Sequence, residues 1–237
     1  MLLAALAALL AVPSGTADAR TLPRRGAVRK PTALKIRAPF PCGVAVKVTC
    51  GYGPRCSGSH RRTAARMATN DHYALDLARR ERGNGAGKAV VAVAAGVVKY
   101  AGWARGGWAP YGKVVYIEHT GADARGRRFQ SMYAHLGRVK VRRGQRVAAG
   151  TVIGTLGGSS RGRRRVFGAH LHFALYRGAG RRSRFGGGRA VVPEPLGAQE
   201  DLRSGVVFEA CSTRGSRVFA SREAVEPRRR AAGGLTR

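Results

Sequence analysis

The sequence is short of acid. Twelve Asp and Glu stand against 44 Lys and Arg, a formal net charge of +32, so the chain carries a long-range positive field that salt screens. Lysine is scarce too: none occurs after Lys140, and arginine carries nearly all of the excess. That absence excludes a biotinyl or lipoyl carrier, which a Gly-spaced run such as VRRGQRVAAGTVIG (141–154) would otherwise suit, because such a carrier needs a lysine at a hairpin tip. Four cysteines are too few for a disulfide-dense miniprotein. No segment reaches the ~18 consecutive apolar residues of a membrane-spanning helix. Nor does a zinc-finger, helix-turn-helix or aromatic RNA-binding motif accompany the charge, so no specific nucleic-acid partner is expected. What remains is ordinary: 44% hydrophobic and 24% charged residues over 237 positions exclude wholesale disorder and allow a buried core.

At the amino terminus, the apolar run at 2–12 is too short to cross a bilayer and is followed by Ala17-Asp18-Ala19, a small-x-small cleavage pattern. Residues 1–19 therefore read as a secretory signal, which predicts a secreted or periplasmic protein. Export makes Cys42, Cys50, Cys56 and Cys211 candidates for two disulfides, with three pairings open. Their spacings do not match the close pairs of structural zinc sites. With three cysteines early and Cys211 late, one bridge should tie the start of the domain to its end. Residues 20–40 mix bases with proline and read as an exposed basic arm, 41–203 as the folded domain, and 204–237 as a polar tail anchored through Cys211.

The stretch from 41 onwards predicts an all-β, β-dominated fold: a single antiparallel-sheet domain with few or no long helices. Short runs rich in Val, Tyr and Phe (88–103, 113–119, 128–136, 145–156, 170–176) are punctuated by glycine, and no window offers a long amphipathic helix. Two of these segments carry chemistry. In HLHFALY (170–176) strand alternation puts Leu171, Phe173 and Leu175 on one face and His170 and His172 on the other. In HYALDL (72–77) the same alternation sends Tyr73, Leu75 and Leu77 inward and aims His72 and Asp76 the opposite way. Two imidazoles and a carboxylate form a borderline N/O set suited to Zn²⁺, and three protein ligands leave the fourth position open as catalytic zinc requires.

The motifs His-x-x-x-Asp (72–76), AVAAGVVKYAG (92–102), Tyr-Ala-His-Leu (133–136), VRRGQRVAAGTVIG (141–154) and Gly-x-His-Leu-His-Phe (168–173) occur in this order over roughly 41–196. In that order they resemble the lysostaphin-type, or LytM-domain, zinc endopeptidases. The resemblance implies an open substrate groove, one catalytic Zn²⁺, and cleavage of peptide bonds in peptidoglycan stem peptides or cross-bridges by a zinc-activated water. It matches His72, Asp76 and His172 to the metal ligands, and His135 and His170 to the two catalytic histidines. Peptidoglycan is then the expected partner of a monomeric enzyme, with anionic wall or outer-membrane polymers attracted by charge. Two other classes compete: a non-catalytic wall-binding regulator of the same fold, and a basic polyanion-binding protein.

One departure from the family pattern bears on the ligands. Relatives usually carry glycine two residues before the Asp, whereas here a long insert, 57–71, precedes it and contains His60. In relatives with a Tyr-Ala-Leu-Asp segment the metal histidine can come from such a loop, so His60 rivals His72, which its four-residue spacing to Asp76 favours. Asp71 is a weaker candidate for the same ligand position and reads rather as a turn residue or as an acceptor for a ligand imidazole. His119 reads as structural or as a support behind the ligands. Tyr133, two residues before His135, shares its strand face by parity and is a candidate substrate or oxyanion contact. Trp103, Trp108 and Tyr111 fall in a Gly-rich hairpin loop and read either as loop packing, the favoured reading, or as the lining of a groove for a glycan or peptide.

Overall fold

The computed structural model describes residues 34–52, 60, 71–123, 125–178 and 188–211. The signal segment at 1–19 and Cys56 lie outside these. Eleven strands run through the described residues: β1 (Ala45–Cys50), β2 (Leu75–Arg79), β3 (Ala89–Val91), β4 (Gly96–Trp103), β5 (Lys113–Ala122), β6 (Arg128–Ala134), β7 (Arg146–Val147), β8 (Val152–Thr155), β9 (Leu171–Arg177), β10 (Arg189–Val191) and β11 (Val207–Glu209). Nine of them build one antiparallel sheet in the order β11-β1-β2-β9-β6-β5-β4-β7, with β10 also on β9, and β3 pairs β8 separately. The β-dominated architecture expected from the sequence is the one the chain adopts.

The long central strands are covered on both faces, which is why β5 and β9 read as nearly continuous apolar runs. On one face Val115, Ile117, Tyr133, Leu171, Phe173 and Leu175 join Leu75 and Leu77 in the main core, which Val90 and Ile153 of the β3–β8 ribbon close from the other side. On the opposite face Val114, Tyr116, Met132, Ala134, Ala174 and Tyr176 form a second, aromatic cluster, with Tyr111 and Trp108 packed against it.

The edges of the domain differ from the sequence-based division. The arm is not exposed over its whole length: Ile36, Ala38 and Phe40 are buried in the main core, and Arg37 donates its backbone N–H to Val93. Alternation of apolar residues at 36, 38 and 40 is the period of an extended segment with one buried side. At the other end the fold runs past 203, because β11 pairs with β1 and Phe208 enters the core. Cys42 and Cys211 are disulfide-bonded across 169 positions, so the bridge does tie the start of the domain to its end. Closing a loop of that length stabilises the fold by several kcal/mol, on the order of 2–5.

Candidate active site

Strand register assembles the site. Antiparallel pairing of β2 with β9 sets Asp76 directly opposite His172, and pairing of β6 with β9 sets Ala134 opposite the same histidine. The His172 Nδ1 lies 3.0 Å from Asp76 Oδ1, so two residues 96 positions apart meet because neighbouring strands hold them in register. His72 does not join them. The backbone N–H of Ala74 bonds the Asp71 carbonyl in a turn, and β2 begins only at Leu75, so the alternation that would put His72 on the Asp76 side is broken. His72 instead sets its ring edge-on against Tyr73, with centroids 4.7 Å apart.

The histidine that lies beside Asp76 is His60. Its Nδ1 stands 3.0 Å from the Gly51 carbonyl, which fixes the proton on Nδ1 and leaves a lone pair on Nε2. That Nε2 is buried, makes no hydrogen bond, and lies 3.5 Å from Asp76 Oδ1. A lone pair facing a carboxylate oxygen is repulsive unless a cation sits between them. The same oxygen receives His172 Nδ1, so two ring nitrogens converge on one carboxylate, the donor set that suits Zn²⁺. Among the described residues the metal-type atoms gathered within 4.8 Å are those of Cys50, His60 and Asp76. Cys50 is disulfide-bonded, which removes it as a thiolate ligand.

Around this cluster the charges are set by Asp71. Its carboxylate accepts a short hydrogen bond from the Tyr111 hydroxyl, a longer one from Tyr176 at 3.4 Å, and lies 3.5 Å from His172 Nε2. Asp71 thus lies beside the His172 imidazole. Burial alone would raise the Asp71 and Asp76 carboxyls, but the neighbouring His172, joined at Asp71 by the Tyr111 hydrogen bond, holds both below the usual carboxylate range. Burial would likewise lower His172, yet the two carboxylates carry it up to about 10.

His135 and His170 lie beside the cluster. The His135 ring is 5.8 Å from that of His172 and 4.8 Å from that of His170. Both imidazoles are fixed in one tautomer, because His135 Nδ1 donates to the Ser159 carbonyl at 2.9 Å and His170 Nδ1 to the Gly168 carbonyl at 2.8 Å. In neutral His135 that leaves Nε2 as an acceptor. Burial, followed by the charges of His172 and His170, depresses His135 to about 3, so it is neutral at ordinary pH.

Tyr133 is not at the site. Its ring is fully buried in the main core, and its hydroxyl accepts from the Val93 N–H at 2.9 Å and from Ser131 at 3.1 Å. Parity predicted that it would follow His135, but His135 has a left-handed φ of 59°, which turns its side chain out of the strand alternation and onto the face of Ala134. The tyrosine that faces the histidines is Tyr111, with ring centroids 6.5 Å from His135 and 5.3 Å from His172. Its loop reads as packing in the sequence, and the hydroxyl's bond to Asp71 is long-range. His119 lies on the core side as expected, between the Ala95 carbonyl and Ser131.

Residues 70–185 match Peptidase family M23. The chain carries a domain of that family. The match includes Asp76, His135, His170 and His172 but begins downstream of His60. Among solved structures, the catalytic domain of the antimicrobial peptidase lysostaphin from Staphylococcus simulans is similar at 25% identity and a TM-score of 0.42, over 62% of this chain and 87% of that one. A structure of lysostaphin from the same organism is 22% identical with a TM-score of 0.46, over 70% of this chain and 53% of that one. A catalytic-domain variant of the prophage-encoded M23 protein EnpA from Enterococcus faecalis is 22% identical with a TM-score of 0.43, over 68% and 98%. No curated protein matches the chain.

Proposed function

We propose that the protein is an exported zinc-dependent endopeptidase that hydrolyses peptide bonds in peptidoglycan, with His60, Asp76 and His172 as the metal ligands. The carrying observation is the buried, unbonded His60 Nε2 aimed at the Asp76 oxygen that also takes His172, with two further imidazoles alongside. A zinc ion held there would supply Lewis-acid polarisation of a carbonyl and acidify water. The chain's own residues do the rest. Asp71, held by Tyr111, orients the His172 ring through Nε2 and so keeps Nδ1 directed at the Asp76 side. His135, its Nδ1–H committed to Ser159, offers Nε2 to accept a proton from the attacking water. Carried on either imidazole, that proton is returned to the leaving amide nitrogen, so no net charge stays in the site. His170 lies half-buried at the rim of the site.

Export fits the Cys42–Cys211 bridge, since disulfides persist in oxidising compartments. The test of the catalytic assignment is the separation of binding from turnover. His135→Ala should retain one zinc per chain while peptide hydrolysis falls ~100-fold or more; wild-type turnover in that variant would remove His135 from the mechanism.

A further inference from the structure

Between Asp123 and Glu194 the chain has no acidic residue at all, against 17 Lys and Arg. Within that stretch one short loop concentrates four arginines, Arg161, Arg163, Arg164 and Arg165, next to Val166 and Phe167. All six are exposed, the two apolar ones at 45% and 47%. Among the described residues, none of the four guanidinium groups has an ion-pair or hydrogen-bond partner.

The loop is held in place. Ser160 and Arg163 exchange backbone hydrogen bonds at 2.9 and 2.7 Å, and Val166 and Phe167 both donate to the Gly158 carbonyl. It is also tied to the segment that bears Tyr111: the Arg161 N–H donates to Ala109 at 2.8 Å, and the Ser160 hydroxyl to Pro110 at 2.8 Å. Gly158 admits this closeness, since a Cβ there would stand 1.9 Å from the Phe167 carbonyl. One end of the loop reaches the catalytic histidines, with the Phe167 ring 5.0 Å from His135 and 5.9 Å from His170. On the other side Arg164 and Arg138 lie close enough to Lys113 to push its pKa down, in addition to burial. A fixed platform thus runs from an exposed aromatic ring at the two imidazoles to a cluster of unpaired cations.

We propose that the loop from Arg161 to Phe167 is a substrate subsite for a carboxylate-bearing peptide, Phe167 packing beside the scissile bond and the arginines binding a carboxylate of the same strand. The inference rests on the peptidase reading and adds what that reading lacks, the charge of the preferred substrate. Exposed, unpaired guanidinium forks match a carboxylate with two hydrogen bonds, and the backbone that carries them is held by the loop's own bonds. The occupant is a peptide rather than a free anionic polymer because the cations are continuous with the catalytic groups through Phe167.

The test uses two peptides alike except that one carries free carboxylates and the other carboxamides beside the scissile bond. The wild-type protein should cleave the carboxylate peptide with at least a tenfold higher kcat/KM, mostly through KM, and salt should erase the difference. Converting Arg161, Arg163, Arg164 and Arg165 to Gln should bring the ratio close to one. Converting Arg142, Arg143 and Arg146 to Gln removes charge from the β7 edge of the sheet and should leave the ratio unchanged. A preference that survives in the loop variant, or that the β7 variant loses equally, overturns the proposal. Calorimetric binding of both peptides is measured in the same preparations. If neither peptide is cleaved, the peptidase reading fails on its own terms; tenfold tighter binding of the carboxylate peptide, lost in the loop variant, would still uphold the subsite, and equal binding would overturn it.

Discussion

His60→Ala should lower zinc affinity by roughly 100-fold or more, while His72→Ala should leave it within a few-fold, as measured by competition with a chromophoric chelator. The reverse order would restore the ligand assignment that sequence spacing favours. Tyr111→Phe tests the support behind the ligands: it removes the hydroxyl that bonds Asp71 and should weaken zinc binding by about tenfold with the fold intact. At this scale the motifs pointed to Asp76, His135, His170 and His172, and the structure brings these four side chains near one another. Spacing ranked His72 above His60, since the facts that point the other way, a turn that ends strand alternation at Ala74 and the Gly51 carbonyl beside His60 Nδ1, are not local to the motif. Tyr133 was misassigned for a related reason: parity holds along a strand, and His135 leaves it through a positive φ.

Among the elements, the turn from Tyr111 into β5 governs the position of His135. Gly112 has a φ of +67°, and a Cβ there would come 2.1 Å from the Ser159 carbonyl, the group that holds His135 Nδ1. Gly112→Ala should therefore cost about 1–2 kcal/mol from the backbone alone and more from the displaced loop. Its activity should fall further than its stability; denaturant unfolding and kcat measured on one preparation check this. Strand identity was readable from the Val, Tyr and Phe runs, and the absence of long helices from the lack of any amphipathic window. Strand order was not, because the pairing of β9 between β2 and β6 joins segments that the sequence keeps far apart. Nor did alternation reveal that the face bearing the site is itself packed with aromatic residues rather than open to water.

For the molecule as a whole, acid should act through a histidine distant from the chemistry. Burial holds His119 at about 4, against an ordinary imidazole value of 6.5. Between these values the unfolded chain binds the proton and the folded chain does not, so stability is complete above about 6.5 and declines as pH falls through 4. The loss attributable to His119 is on the order of 3 kcal/mol. A His119→Gln variant should be less stable at neutral pH but should lose less on acidification, as followed by thermal unfolding from pH 7 to 4; parallel curves would contradict this. The net charge was plain from composition, whereas its concentration beside the catalytic groups depends on how the 158–168 loop docks.

The most direct measurement of the central claim joins metal content to bond cleavage. The chain from residue 20 onwards, prepared in an oxidising compartment, is assayed for zinc and incubated with purified sacculi with and without a chelator, the released fragments being identified by mass spectrometry. One zinc per chain and peptide-cleaved fragments that vanish with chelator and return with zinc are the result expected. Binding to sacculi without zinc and without cleavage would contradict it, and would leave a wall-binding protein built on a peptidase fold.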